Sequence, residues 1–115
     1  MKHPFGPAPE NVDVLWRCEA RRYSVVIDPE ADIFGVTDSE LEMRWYYVQR
    51  RTPKGAWLAN RFVLLTARKR WACNTEQEAL ESFKARKARQ IKILTTQLSR
   101  AKADLALLDT RMLAV

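Results

Sequence analysis

One histidine, three glycines and two cysteines leave the chain little with which to do chemistry. The single imidazole, His3, lies beside Pro4, Gly6 and Pro7, which removes His-based triads and most zinc sites. Gly6, Gly35 and Gly55 stand too far apart to form a phosphate-cradling loop. Cys18 and Cys73 make no CxxC pair and have no metal-ligand spacing. The residues after Met1 lack the apolar core of a leader peptide, and no run approaches the roughly 18 apolar residues of a membrane span. These absences predict a cytoplasmic protein with no membrane partner, its two thiols reduced rather than bridged. The nearest approach to a metal loop is "DPEAD", where Asp28, Glu30 and Asp32 alternate. A calcium loop needs Gly at its sixth position and Glu at its twelfth, and Ile33 and Ser39 stand there. No pair of carboxylates is singled out by spacing, so the sequence argues for a protein that is not an enzyme and uses no metal or cofactor.

What is present is hydrophobic, aromatic and basic. Hydrophobic residues make up 47% of the chain, and four Trp, three Tyr and four Phe are among them. That composition belongs to a folded chain, and 115 residues give room for one domain with a modest core. The net charge of +6 is unevenly placed. Residues 1–60 hold 8 Lys and Arg against 9 Asp and Glu, whereas residues 61–115 hold 12 against 5. The positive field therefore belongs to the second half.

Along the chain, residues 1–13 read as an irregular arm, with three Pro and one Gly. Leu15 to Ile27, carrying Trp16, Tyr23, Val25 and Val26, reads as a strand that Asp28-Pro29 stops. The acidic segment to Ser39 reads as a connection. In "LEMRWYYVQR", Leu41, Met43, Trp45 and Tyr47 share one face of a second strand. "RTPKG" supplies hairpin-turn residues at Pro53 and Gly55. "AWLANRFVLLT" reads as the returning strand, with Leu58, Asn60, Phe62 and Leu64 as its core face because Arg61 interrupts the other set. "RKRWAC" is either a short fourth strand or a lead into the helix. Thr75-Glu76-Gln77-Glu78 fits a capping box, in which Thr75 accepts from the Glu78 N–H and the Glu78 side chain reaches back. From Glu76 to about Leu113 nothing breaks a helix, giving a rod of roughly 57 Å against about 33 Å for a ten-residue strand. The expected fold is α+β: an antiparallel meander of three or four strands, then one long C-terminal helix with a coiled-coil-like end. The expected divisions are the arm at 1–13, a sheet domain with the docked helix start at 14–90, and a helical extension at 91–115.

Helical periodicity divides that rod. Ile91, Leu98, Leu105 and Met112 stand seven apart, as do Leu94, Ala101 and Leu108, which is an a/d seam of about three heptads. Upstream the same register meets Lys84 and Lys87, so the seam stops there, and Leu80 and Phe83 are expected to dock the helix on the sheet. The seam predicts a homodimer, the alternative being that the stripe packs on the chain's own sheet. In a parallel dimer Asp104 at g would meet Asp109 at the following e, which favours antiparallel pairing or a helix from another protein. Arg68, Lys69 and Arg70, with Lys84, Arg86, Lys87, Arg89 and Lys92, form the candidate polyanion surface, because Lys and Arg neutralise phosphates and release counterions. Ordinary solubilising charge is the competing reading. Trp45, Tyr46, Tyr47, Trp57 and Trp71 invite base stacking, though strand aromatics more often pack in a core.

The run from Trp71 through Thr75, Glu78 and Ala79 into "FKARKARQIKIL" resembles the C-terminal half of small phage- and prophage-encoded accessory proteins, which set a short twisted sheet before a long basic helix. The resemblance implies binding to host machinery such as transcription, replication or CRISPR complexes, and carries over no site residues. The functional expectation is a non-enzymatic, dimeric module that binds nucleic acid. The alternative is a protein-directed inhibitor or adaptor, anti-CRISPR-like, acting on a host nucleoprotein complex.

Overall fold

The computed structural model describes residues 1–22, 24–28, 30, 33–36 and 38–113, with backbone alone at 24–28, 33, 34 and 36. Antiparallel strands are followed by one long helix, the α+β arrangement that the sequence implies. The strands are shorter and more numerous than the hydrophobic pattern suggests. β1 (Val14–Arg21) pairs with β4 (Glu40–Tyr47) from Val14 opposite Tyr47 to Arg21 opposite Glu40. Between them in sequence, β2 (Ser24–Asp28) and β3 (Ile33–Val36) form a hairpin. The single strand expected over Leu15 to Ile27 is thus two, and the expected acidic connection contains β3. Tyr23, Pro29 and Asp32, which the sequence reading used, lie outside the described residues.

A third sheet is built from β5 (Arg50–Arg51), β6 (Gly55–Trp57) and β7 (Phe62–Leu64). The turn at Pro53 and Gly55 forms as expected, with the Thr52 N–H donating to the Gly55 carbonyl at 2.9 Å. The next strand does not run through. It reverses at Ala59-Asn60, where the Leu58 N–H donates to the Arg61 carbonyl at 2.8 Å, a place where Asn suits a turn. The reversal sets Ala56 opposite Val63 and Trp57 opposite Phe62. The expected core face is therefore split: Leu58 and Val63 are buried with Ala56, while Asn60, Phe62 and Leu64 are exposed.

Two small buried clusters hold this part together. One joins Leu15, Ala56, Leu58, Val63 and Ala72, with Tyr46, Val48, Leu65 and Trp71 packed at its margin. The other joins Cys18, Met43, Cys73 and Ala79, flanked by Trp16, Leu80 and Phe83. Cys18 and Cys73 share that second cluster without a disulfide. "RKRWAC" adds no strand, only a bridge in which Trp16 and Cys73 exchange backbone hydrogen bonds of 2.7 and 2.8 Å. Lys2 of the arm donates its N–H to Leu41 and accepts from Met43, fastening the chain's start to β4.

The polar end of the β1–β4 face carries a charge ladder. Arg17 stands opposite Arg44 and Glu19 opposite Glu42, like-charge pairings that are unfavourable on their own. Neighbours along each strand offset them. Arg17 and Arg21 both reach Glu19, and Arg44 donates to Glu42 at 2.8 Å. Burial opposes the Glu19 charge, yet the hydrogen bond from Arg17 and the charges of Arg17, Arg21 and Arg44 outweigh it and hold its carboxyl below the ordinary range.

The helix α1 (Glu76–Leu113) begins at the expected residue. Thr75 Oγ1 accepts from the Glu78 N–H at 3.1 Å, satisfying one of the donors a helix start leaves open. The second half of the capping box does not form, because the Glu78 carboxylate accepts from Arg70 at 3.0 Å instead. Leu80 and Phe83 pack on the Cys18 cluster, as their spacing suggests. The chain comprises two compact units, Met1–Phe83 and Lys84–Val115.

Candidate functional site

Between Phe83 and Ile91 the helix is mostly exposed, with Arg86 and Arg89 half-buried, and every described residue from Ile91 to Leu113 is exposed. Ile91, Leu94, Leu98, Leu105, Leu108 and Met112 are each more than half exposed, and Ala101 between them is exposed too. Three threonines satisfy their hydroxyls within the helix: Thr95, Thr96 and Thr110 donate to the carbonyls of Ile91, Lys92 and Ala106 four residues back. Ile93 and Leu107 are exposed as well, off the seam.

The candidate polyanion residues fall in both units. Arg68, Lys69 and Arg70 belong to the first, and Lys84, Arg86, Lys87, Arg89 and Lys92 to the second. Arg70 already has work in the fold: its guanidinium binds Glu78 and its carbonyl accepts from the Ser82 hydroxyl at 3.3 Å. Arg68 and Lys69 are exposed, with no acid paired to either among the described residues. In the helix, Lys84 and Lys92 are exposed, and Lys87 donates to the Gln90 side chain at 3.1 Å. Residues 82–103 carry seven cations and no acid, so this surface presents a positive field of one sign.

The aromatic residues divide by burial. Tyr46 and Trp71 rings meet at 5.1 Å beside the Leu15 cluster. Arg17 and Arg61 lie 4.7 and 4.0 Å from the Trp71 ring centre, cation–π contacts that tie both arginines to the fold. Trp45 donates its indole N–H to the Gly6 carbonyl at 3.1 Å and meets the rings of Phe5 and Tyr47 edge-on. Packing thus engages Trp45 and Tyr46, as is usual for strand aromatics, and also Trp71, which lies outside the strands. Trp57 differs: it pairs with Phe62 at 5.1 Å and both are exposed.

Arg50, Lys54 and Phe62 surround Trp57, yet no sequence motif marks Arg50 or Lys54 as site residues, and alternation assigns Phe62 to the core. A signal for them exists. From Met43 to Thr75 the chain holds eight Lys and Arg, three of its four Trp, and no Asp or Glu. Arg51 of this stretch is anchored, donating to Asp13 at 2.5 and 2.7 Å and to Asn74 at 2.6 Å. Its hydrogen bond holds the Asp13 carboxyl below the ordinary range, against a smaller opposing effect of burial.

Among the described residues, no group of three or more His, Cys, Asp and Glu could hold a metal ion, and no helix is long and apolar enough to cross a membrane. No protein-family model, curated protein or solved structure matches the chain, so the likeness to phage-encoded proteins has no matched relative behind it.

Proposed function

We propose that the protein is a non-enzymatic binding module that pairs with a second copy through Ile91 to Met112 and offers a basic surface to nucleic acid. The observation that carries this reading is the solvent exposure of the entire seam on a helix that is acid-free from residue 82 to 103. Helices in proteins owe most of their stability to a packed apolar face, and a stripe exposed along its length has no such packing. A second copy supplies a seam of matching spacing. Antiparallel pairing separates Asp104 from the partner's Asp109, which a parallel pair would bring together. Lys84, Arg86, Lys87, Arg89 and Lys92 then serve as the phosphate contacts.

Binding of the full chain to a labelled DNA duplex, followed by fluorescence anisotropy across salt concentrations, tests the nucleic-acid half. Neutralising about four phosphates gives a log–log slope near −3.6. A flat response, or no binding at low salt, overturns it. The like-charge contact of a parallel pair also suits a second reading, in which the seam takes a helix of a host nucleoprotein complex and the protein acts as adaptor or inhibitor. A stoichiometric protein partner that persists after nuclease treatment would favour that reading.

A further inference from the structure

The two faces of the β5–β6–β7 sheet are built for different tasks. Arg50 stands opposite Trp57, and Trp57 opposite Phe62, so these three side chains form one cross-strand row on one face. The neighbouring row, Arg51, Ala56 and Val63, lies on the other face. There Ala56 and Val63 enter the core and Arg51 is held by Asp13 and Asn74. On the outer face Trp57 and Phe62 remain 42% and 38% exposed, their rings inclined at 52°. Together with Thr52, Pro53 and Lys54 they line an open concavity of about 380 Å³.

Charge identifies the occupant. Of the eight cations between Met43 and Thr75, Arg44, Arg51 and Arg70 are paired with Glu42, Asp13 and Glu78. Arg61 lies over Trp71. Arg50 and Lys54 are exposed, have no acid partner among the described residues, and border the Trp57–Phe62 pair. An apolar peptide would gain nothing from these two cations. A single strand of nucleic acid uses both features, its bases stacking on aromatic faces while Lys and Arg follow its phosphates. A duplex keeps its base faces inside its own stack and has no use for the rings.

We infer that the row Arg50, Trp57 and Phe62, with Lys54 beside it, is a binding site for single-stranded nucleic acid. Successive bases stack on Trp57 and Phe62, and Arg50 and Lys54 neutralise the adjoining phosphates. The inference rests on the nucleic-acid reading above, but it assigns a separate surface, in Met1–Phe83, and a strand preference.

The test uses the full chain and a short oligothymidylate, with tryptophan emission and anisotropy as readouts. Binding is expected to quench emission. Trp57→Ala is expected to weaken affinity about tenfold or more, as loss of one stacked base implies, and to remove the quench. Phe62→Ala should weaken it similarly, whereas Trp57→Phe, which keeps a stacking face, should retain most of the affinity. Both aromatic side chains are exposed, and unchanged urea unfolding of the variants confirms an intact fold. Lys87→Glu with Lys92→Glu separates the two sites: it should reduce duplex binding and leave oligothymidylate binding in place. Equal oligothymidylate affinity in the wild type and in folded Trp57→Ala overturns the inference. So does quenching of Trp57 by a proline-rich peptide when the oligothymidylate has no effect.

Discussion

Gly55 gives the sharpest mutational test of the β5–β6–β7 sheet. A methyl group added there would lie 2.0 Å from the Val63 carbonyl oxygen and 2.9 Å from the Phe62 ring. The ring can swing aside. The carbonyl cannot, because it belongs to the strand directly opposite, so β6 and β7 must separate by about 1 Å to admit Gly55→Ala. That movement loosens pairing along Gly55–Leu64 and Ala56–Val63. Losing one or two ladder hydrogen bonds costs about 1 kcal/mol each, and loosening the buried Ala56–Val63 contact costs about 1–2 kcal/mol more. The lower chain entropy of unfolded Ala returns roughly 0.5–1 kcal/mol. The net loss is about 2 kcal/mol, equivalent to about 10 °C in Tm for a domain of this size. Urea unfolding followed by tryptophan emission measures it, with Gly6→Ala for comparison. Gly6 has φ of +70° and nothing within 4 Å of the added carbon, so its cost is backbone strain alone, about 1 kcal/mol. Gly55→Ala as stable as the wild type would refute the reasoning.

Two further outcomes follow from the same geometry. Asp13 and Glu19 have folded-state pKa values below their ordinary 3.8 and 4.5, so their contribution is complete above about pH 5 and is lost as pH falls through the lowered values; the urea midpoint should drop below about pH 4, and Asp13→Asn should flatten that drop. Leu98→Ala removes an apolar side chain from both members of a pair at about 1.5 kcal/mol each, weakening self-association about a hundredfold; Ile93→Ala, exposed but off the seam, should leave it unchanged by sedimentation velocity.

The helix was legible in the sequence to its end residues because its signals are local. Thr75 caps it, no Pro or Gly interrupts it, and the seven-residue spacing of Ile91, Leu98, Leu105 and Met112 needs no tertiary information. The sheets were less legible. Trp57 to Leu65 is rich in apolar residues on both sides, and its pattern fits a single long strand as well as two short ones. The reversal at Ala59-Asn60 is decided by Leu58 and Val63 reaching the same buried cluster as Leu15 and Ala72, contacts between residues distant in sequence. That single turn moves Phe62 and Leu64 from core to surface and hides the outer aromatic row from any reading by alternation. The charge around it was visible, in a segment from Met43 to Thr75 without one acid, but halving the chain at residue 60 averages that segment with the acidic start. Arg70 shows the opposite limit: by sequence it looks like one more surface cation, and only the fold brings Glu78 to it.

The central claim is that residues 91–113 need a mate. Sedimentation equilibrium of the full chain across a hundredfold concentration range tests it most directly, with circular dichroism at the same concentrations. The account predicts a mass rising to twice the 13.4 kDa of one chain, with helix content rising in step. A particle of single-chain mass at every concentration, its helix signal undiminished, would contradict it.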